Sequence, residues 1–144
     1  MGSNFFPNST PVKSFVHIED EDKPIKIAVM GTSWSPTSLF TYQALINAVS
    51  ESQYKDLVQT HFIDQDKEFP FCYNERIIVG FPTTIVMIGK VVLTFVQNEK
   101  AADSEQKQKI RLVGQLNSSQ MGNIIEQANN CYQKKRFRLT IPNQ

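Results

Sequence analysis

Cysteine is scarce in this chain. Only Cys72 and Cys131 occur among its 144 residues, and a separation of 59 positions fits neither a close redox pair nor a zinc knuckle, so both read as free thiols. An excess of either charge is lacking too: 15 Lys and Arg stand against 14 Asp and Glu, a formal net charge of +1. Such a balance creates no global field to draw in nucleic acid or an anionic membrane, and neither is expected as a principal partner. No apolar run approaches the roughly 18 residues needed to cross a bilayer. The opening MGSNFFPNST has neither the basic start nor the apolar stretch of a secretory signal. The chain therefore reads as soluble and intracellular, most simply cytoplasmic. Gly2 does not complete a myristoylation pattern, because Phe6 stands where Ser or Thr is wanted. The triplets Asn8-Ser9-Thr10 and Asn117-Ser118-Ser119 would matter only in a secreted chain.

What is present is an ordinary globular composition, 40% hydrophobic and 20% charged with ten Phe, at a length that suits one domain. Residues 1–14 mix Pro, Ser, Asn and Thr and read as an N-terminal arm. Phe15 to Ile18 can form a short strand before the acidic run Glu19-Asp20-Glu21-Asp22, a solvated turn. Ile25 to Met30 is β-branched and nearly all apolar, as in a strand covered on both faces. After it, Ser35 can cap a helix whose first position is Pro36. Leu39, Tyr42, Leu45, Ile46 and Val49 then recur at helical spacing and predict the stripe that packs on a sheet.

Leu57 to Ile63 reads as a second strand, Phe69 to Arg76 as a distorted helix. Thr83 to Ile88 and Val91 to Val96 read as a hairpin around Gly89-Lys90. The polar stretch of about 97–109 is an insertion, and Ile110 to Gly114 can add a strand. Asn117 or Ser118 caps a final helix with Met121, Ile124, Ile125, Ala128, Cys131 and Tyr132 on one face. The domain is thus drawn over 15–132. Residues 133–144 form a basic tail carrying Lys134, Lys135, Arg136 and Arg138 around Phe137, read either as solvated or as an arm held by an acidic partner surface. The order of elements is an α/β arrangement, α+β in its mixed sheet, with helices flanking it.

Within that order, Trp34-Ser35-Pro36-Thr37-Ser38 lies between a buried strand and a capped helix. It resembles the thioredoxin active-site motif of Trp followed by Cys-x-x-Cys. Gly80-Phe81-Pro82-Thr83, whose proline is 47 residues past Ser35, resembles the family's cis-proline segment. Phe62-Ile63-Asp64-Gln65-Asp66 is similar to the end of the family's central strand, and Val113-Gly114-Gln115-Leu116 to the segment before its last helix. The resemblance spans roughly residues 15 to 132 and implies a thioredoxin-like fold.

It also implies that the reaction is missing. Thioredoxin-type exchange needs a thiolate with a lowered pKa and a second, resolving thiol. Ser35 and Ser38 hold those two places, and Val29 holds the place of the family's buried acid. A serine hydrolase is not indicated either, since His17 and His61, the only histidines, lie in strand-like stretches without a triad signature. No cofactor and no metal is expected. The reading is a non-catalytic subunit or adaptor in a larger protein assembly, a class that among thioredoxin-like chains includes axonemal dynein light chains of cilia. Trp34, Pro36, Phe81 and Pro82 are its candidate contact groove, with Trp34 either exposed there or folded onto its own helix. The competing reading is a thiol–disulfide oxidoreductase or redox sensor of altered type using Cys72, against which stands the plain role of a packing residue.

Overall fold

The computed structural model describes residues 23–32, 34–64, 82–96 and 111–142. The arm 1–14, the strand Phe15 to Ile18 with His17, the segment Phe69 to Arg76 with Cys72, Phe81 and the insertion 97–109 lie outside the described residues.

Strand β1 (Ile25–Gly31) is the axis of the sheet. Alternation puts Ile25, Ile27 and Val29 on one face and Ala28 and Met30 on the other, and all five are fully buried. A strand apolar on both sides belongs in the middle of a covered sheet, and β1 sits there. It pairs in parallel with β2 (Val58–Asp64) from Ile25↔Val58 to Gly31↔Asp64. On its other side it pairs antiparallel with β3 (Thr83–Ile88), from Ile25↔Ile88 to Met30↔Thr83. The parallel pair requires a crossover, supplied by helix α1 (Pro36–Ser50) and the 3-10 turn Lys55–Leu57.

β3 continues through Gly89-Lys90 into β4 (Val91–Val92). Gly89 takes φ 59°, at the first loop position where glycine suits a two-residue hairpin turn. Strand β6 (Leu112–Val113) pairs with the opposite end of β3, at Thr83 and Thr84. Helix α2 (Ser118–Lys134) starts at a capping box: the Asn117 side chain accepts from the Gln120 N–H, and the Gln120 side chain accepts from the Asn117 N–H, both at 2.8 Å. Both helices lie on the Ile25–Ile27–Val29 face. The core there joins Leu45, Val86, Phe95, Met121, Ile124, Ile125 and Ala128.

Three expectations are corrected. First, the face that α1 buries is Ser38, Thr41, Ala44, Leu45 and Ala48, while Leu39 is exposed and Tyr42 and Val49 are only partly covered. Small side chains let the helix lie close to both the sheet and α2, which turns the larger ones outward. Second, the run Val91 to Val96 is not one hairpin strand. It breaks at Leu93, and β5 (Thr94–Val96) leaves the main sheet. Third, the domain does not end at 132. α2 runs to Lys134, and β7 (Arg138–Thr140) pairs in parallel with β5, from Thr94↔Arg138 to Val96↔Thr140. Leu139 is fully buried within the core. Burying such a side chain contributes about 2 kcal/mol, enough to make this part of the tail structural.

Candidate functional site

The four segments singled out in the sequence converge on one end of the sheet. Gly31 pairs with Asp64 across β1 and β2. Met30 pairs with Thr83, so Pro82 follows in line beside Gly31. The Gly114 N–H donates to the Pro82 carbonyl at 2.8 Å, and Val113 pairs with Thr83. Gly114 takes φ 125°, a backbone state that disfavours any side chain. The Leu116 N–H then donates to Thr41 Oγ1 at 3.3 Å and ties this loop to α1. A crevice beyond the carboxyl ends of parallel strands is where open α/β sheets place their ligands.

The turn leaving β1 stands over this end. Ser35 has extended dihedrals (φ −90°, ψ 121°) and caps α1, its hydroxyl accepting from the Ser38 N–H at a long 3.5 Å. Its own N–H donates to the Thr32 carbonyl at 3.1 Å, and its Oγ lies 3.1 Å from Thr37 Oγ1. Pro36 fills the first helical position, where an N–H would have had no partner. Ser38, one turn on, is buried, and its Oγ accepts from the Thr32 N–H at 3.3 Å. Helix and strand meet so closely here that a Cβ on Gly31 would run into Ser38 Oγ and lie 2.6 Å from Ser38 Cβ.

The chemistry open to such a turn is limited. Both serine hydroxyls are engaged with neighbouring backbone, and neither can form a disulfide. Val29, in the place of a proton-relaying acid, is fully buried among apolar side chains. Its register partner Thr84 has a buried Oγ1 with no hydrogen-bond partner. Among the described residues no cluster of three or more His, Cys, Asp or Glu could hold a metal ion. His61 is fully buried in β2, where it pairs with Ala28 of β1. No helix among the described residues is long and apolar enough to cross a membrane.

Trp34 is 72% exposed. Pro36 is exposed beside it, and Pro82 is buried below. Phe81 and Cys72 lie outside the described residues. Three further apolar side chains stand at this end: Leu39 at 47%, Phe40 at 48% and Val113 at 51% exposure. The helical spacing places Leu39 on the buried stripe and does not single out Phe40, whereas both are surface residues. The signal that finds them is the row of small residues at 38, 41, 44 and 48, which marks the opposite face as the buried one.

The basic residues do not join this site. Lys134, Lys135, Arg136, Phe137 and Arg138 are all exposed around the end of α2, a helix of 17 residues that carries them about 25 Å from its start near Thr41. Cys131, a free thiol, is buried beside them and donates to the Arg138 carbonyl at 3.2 Å. Burial pushes this thiol's pKa up, against the opposing effect of the nearby Arg136 guanidinium.

No known protein-family model and no curated protein matches the chain. Solved structures do. A chloroplastic thioredoxin z superposes with TM-score 0.57 at 20% identity, covering 82% of this chain and 88% of that one. Human ERp44 gives TM-score 0.54 at 13% identity, over 83% of this chain and 32% of that protein. A thioredoxin of Halobacterium salinarum gives 0.52 at 13% identity, over 76% and 78%. With a mixed sheet, two helices on one face and the turn at the strand ends, the chain has the thioredoxin-like fold.

Proposed function

We propose that this chain is a non-catalytic thioredoxin-like protein that binds a protein partner as an adaptor or subunit of a larger assembly. The observation that carries the reading is the turn at Trp34 to Ser38. Two hydroxyls replace the thiols, while an exposed tryptophan stays in place, with exposed Leu39 and Phe40 following in the first turns of α1 and exposed Val113 on β6 at the same end of the sheet. Tryptophan in a central, apolar position is the typical anchor of a protein interface. The pairing of β3 with β6 at Thr83 and Thr84 fixes the backbone at this end of the sheet without supplying a reaction.

The test compares wild type with a Trp34→Ala/Phe40→Ala variant in affinity capture from extracts of the source cells, quantified by mass spectrometry. An anchor worth about 2 kcal/mol changes affinity roughly thirtyfold, so the specific partner should be depleted at least tenfold by the variant. Equal recovery would remove the turn from the interface. Absence of any specific partner with wild type would refute the adaptor role.

A further inference from the structure

At the far end of α2 the chain makes a small concave site that the turn does not use. A cleft of about 200 Å³ opens between the last turns of the helix and β7, lined by Gln127, Cys131, Lys134, Arg136, Arg138 and Thr140 among others. Four of the 15 basic side chains of the whole protein fall within the five residues 134–138, so the remainder of this +1 chain is net negative. The cations are clustered by construction.

Their backbone is held from several sides. Lys135 takes the left-handed conformation, φ 56°, and ends the helix. The Arg136 N–H donates to the Cys131 carbonyl at 3.0 Å. The Cys131 thiol donates to the Arg138 carbonyl at 3.2 Å. Gln127 makes a two-way bond to Thr140: its Nε2 donates to the Thr140 carbonyl, and its Oε1 accepts from the Thr140 N–H, each at 2.8 Å. On the opposite edge the Thr94 N–H donates to the Phe137 carbonyl at 3.0 Å. Residues 136–140 are therefore fixed on both edges, and the amide of Gln127 occupies the β7 edge that a partner strand would need. A visitor must address the side chains.

We propose that this cleft is a binding site for an acidic peptide segment of a protein partner, whose carboxylates meet Lys134, Arg136 and Arg138. The guanidinium forks of the two arginines match carboxylates. Nucleic acid fits less well. A nucleic-acid-binding domain spreads a basic stripe over one face with a pI above about 9, whereas this chain has a pI near 7.7 and one compact cluster. The inference stands on different residues from the proposed groove at Trp34, and either can fail alone.

The experiment is fluorescence anisotropy with a labelled hexaglutamate peptide at 20 mM NaCl, using the full chain. Saturable binding is expected with wild type. Lys134→Gln/Arg138→Gln should weaken it about tenfold, consistent with the loss of two exposed charge pairs. Raising NaCl to 200 mM should weaken wild-type binding by a similar factor, because screening of exposed charges strengthens as the Debye length shortens. Both substitutions are at exposed positions, and an unchanged circular dichroism spectrum verifies folding. Arg138→Lys should lose less than Arg138→Gln, and Trp34→Ala should leave binding intact. No saturable binding of the peptide, or equal binding by the double variant, overturns the proposal. Tighter binding of a ten-residue oligothymidylate than of the peptide also overturns it, in favour of a nucleic-acid surface. Binding that appears only after Glu19, Asp20, Glu21 and Asp22 are replaced by amides would assign the cleft to the chain's own acidic run and overturn it as well.

Discussion

Replacing Gly31 by Ala tests whether the turn is positioned as tightly as the geometry requires. The new methyl would collide with Ser38 Oγ and lie 2.6 Å from Ser38 Cβ. The Cβ cannot swing away, because it is fixed to the helix backbone and Ser38 is buried. Restoring an ordinary carbon–carbon separation means moving the start of α1 by about 1 Å. That shift stretches the Thr32 N–H to Ser38 Oγ bond, already 3.3 Å, and strains the Gly31↔Asp64 pairing. Overpacking of this kind costs about 1–3 kcal/mol and the lost hydrogen bond about 1 kcal/mol, while Ala in place of Gly returns about 0.4–1 kcal/mol through the unfolded chain. The net expectation is a destabilisation of about 2 kcal/mol in urea unfolding at unchanged m-value. Ser38→Gly relieves both contacts, at a helix penalty of about 1 kcal/mol. The double variant should therefore show a favourable coupling of at least about 1 kcal/mol. A Gly31→Ala protein within about 0.5 kcal/mol of wild type, or a cycle without coupling, would refute this packing and with it the fixed placement of Trp34.

The remaining predictions concern the interior and the last strand. Thr84→Val replaces a buried hydroxyl without a partner by a methyl of the same shape and should raise stability by about 1 kcal/mol in the same unfolding experiment; a loss would mean that the hydroxyl is satisfied. Leu139→Ala should destabilise by about 2–5 kcal/mol if β7 is part of the core, and by less than about 0.5 kcal/mol if residues past 132 are a loose tail. The raised pKa of buried Cys131 means that the unfolded thiol, with a pKa of about 8.5, loses its proton first as pH rises. Stability should be level below that value and fall above it, toward the folded thiol's higher pKa, with a slope of at most about 1.4 kcal/mol per pH unit. Cys131→Val should abolish that decline; a decline of equal size in the variant would place its origin elsewhere.

Local chemistry made much of this legible in advance. Ser35 before Pro36 and Asn117 before Gln120 announce helix starts through bonds made within three residues, and both helices begin there. β1 was readable because a strand covered on both faces has no polar side to disguise it. The buried face of α1 was not, since Leu39 and Val49 carry more apolar surface than Ser38 or Ala48. Only the closeness of α2 and the sheet decides for the smaller set. The break at Leu93 and the parallel pairing of Thr94 with Arg138 depend on contacts 44 residues apart, which no window on Val91 to Val96 contains. The convergence of Gly31, Asp64, Pro82 and Gly114 was legible only as an order of motifs, and the register turns that order into one end of a sheet.

The central claim of the proposed function is that the chain, with serines at 35 and 38, performs no thiol–disulfide exchange. Reduction of insulin disulfides by dithiothreitol, followed as turbidity with and without the pure protein, measures this directly. Wild type should match the uncatalysed rate, and Ser35→Cys/Ser38→Cys, which sets a thiol at the start of α1, should exceed it. Catalysis by wild type that disappears on Cys72→Ser would contradict the claim and make the chain an oxidoreductase.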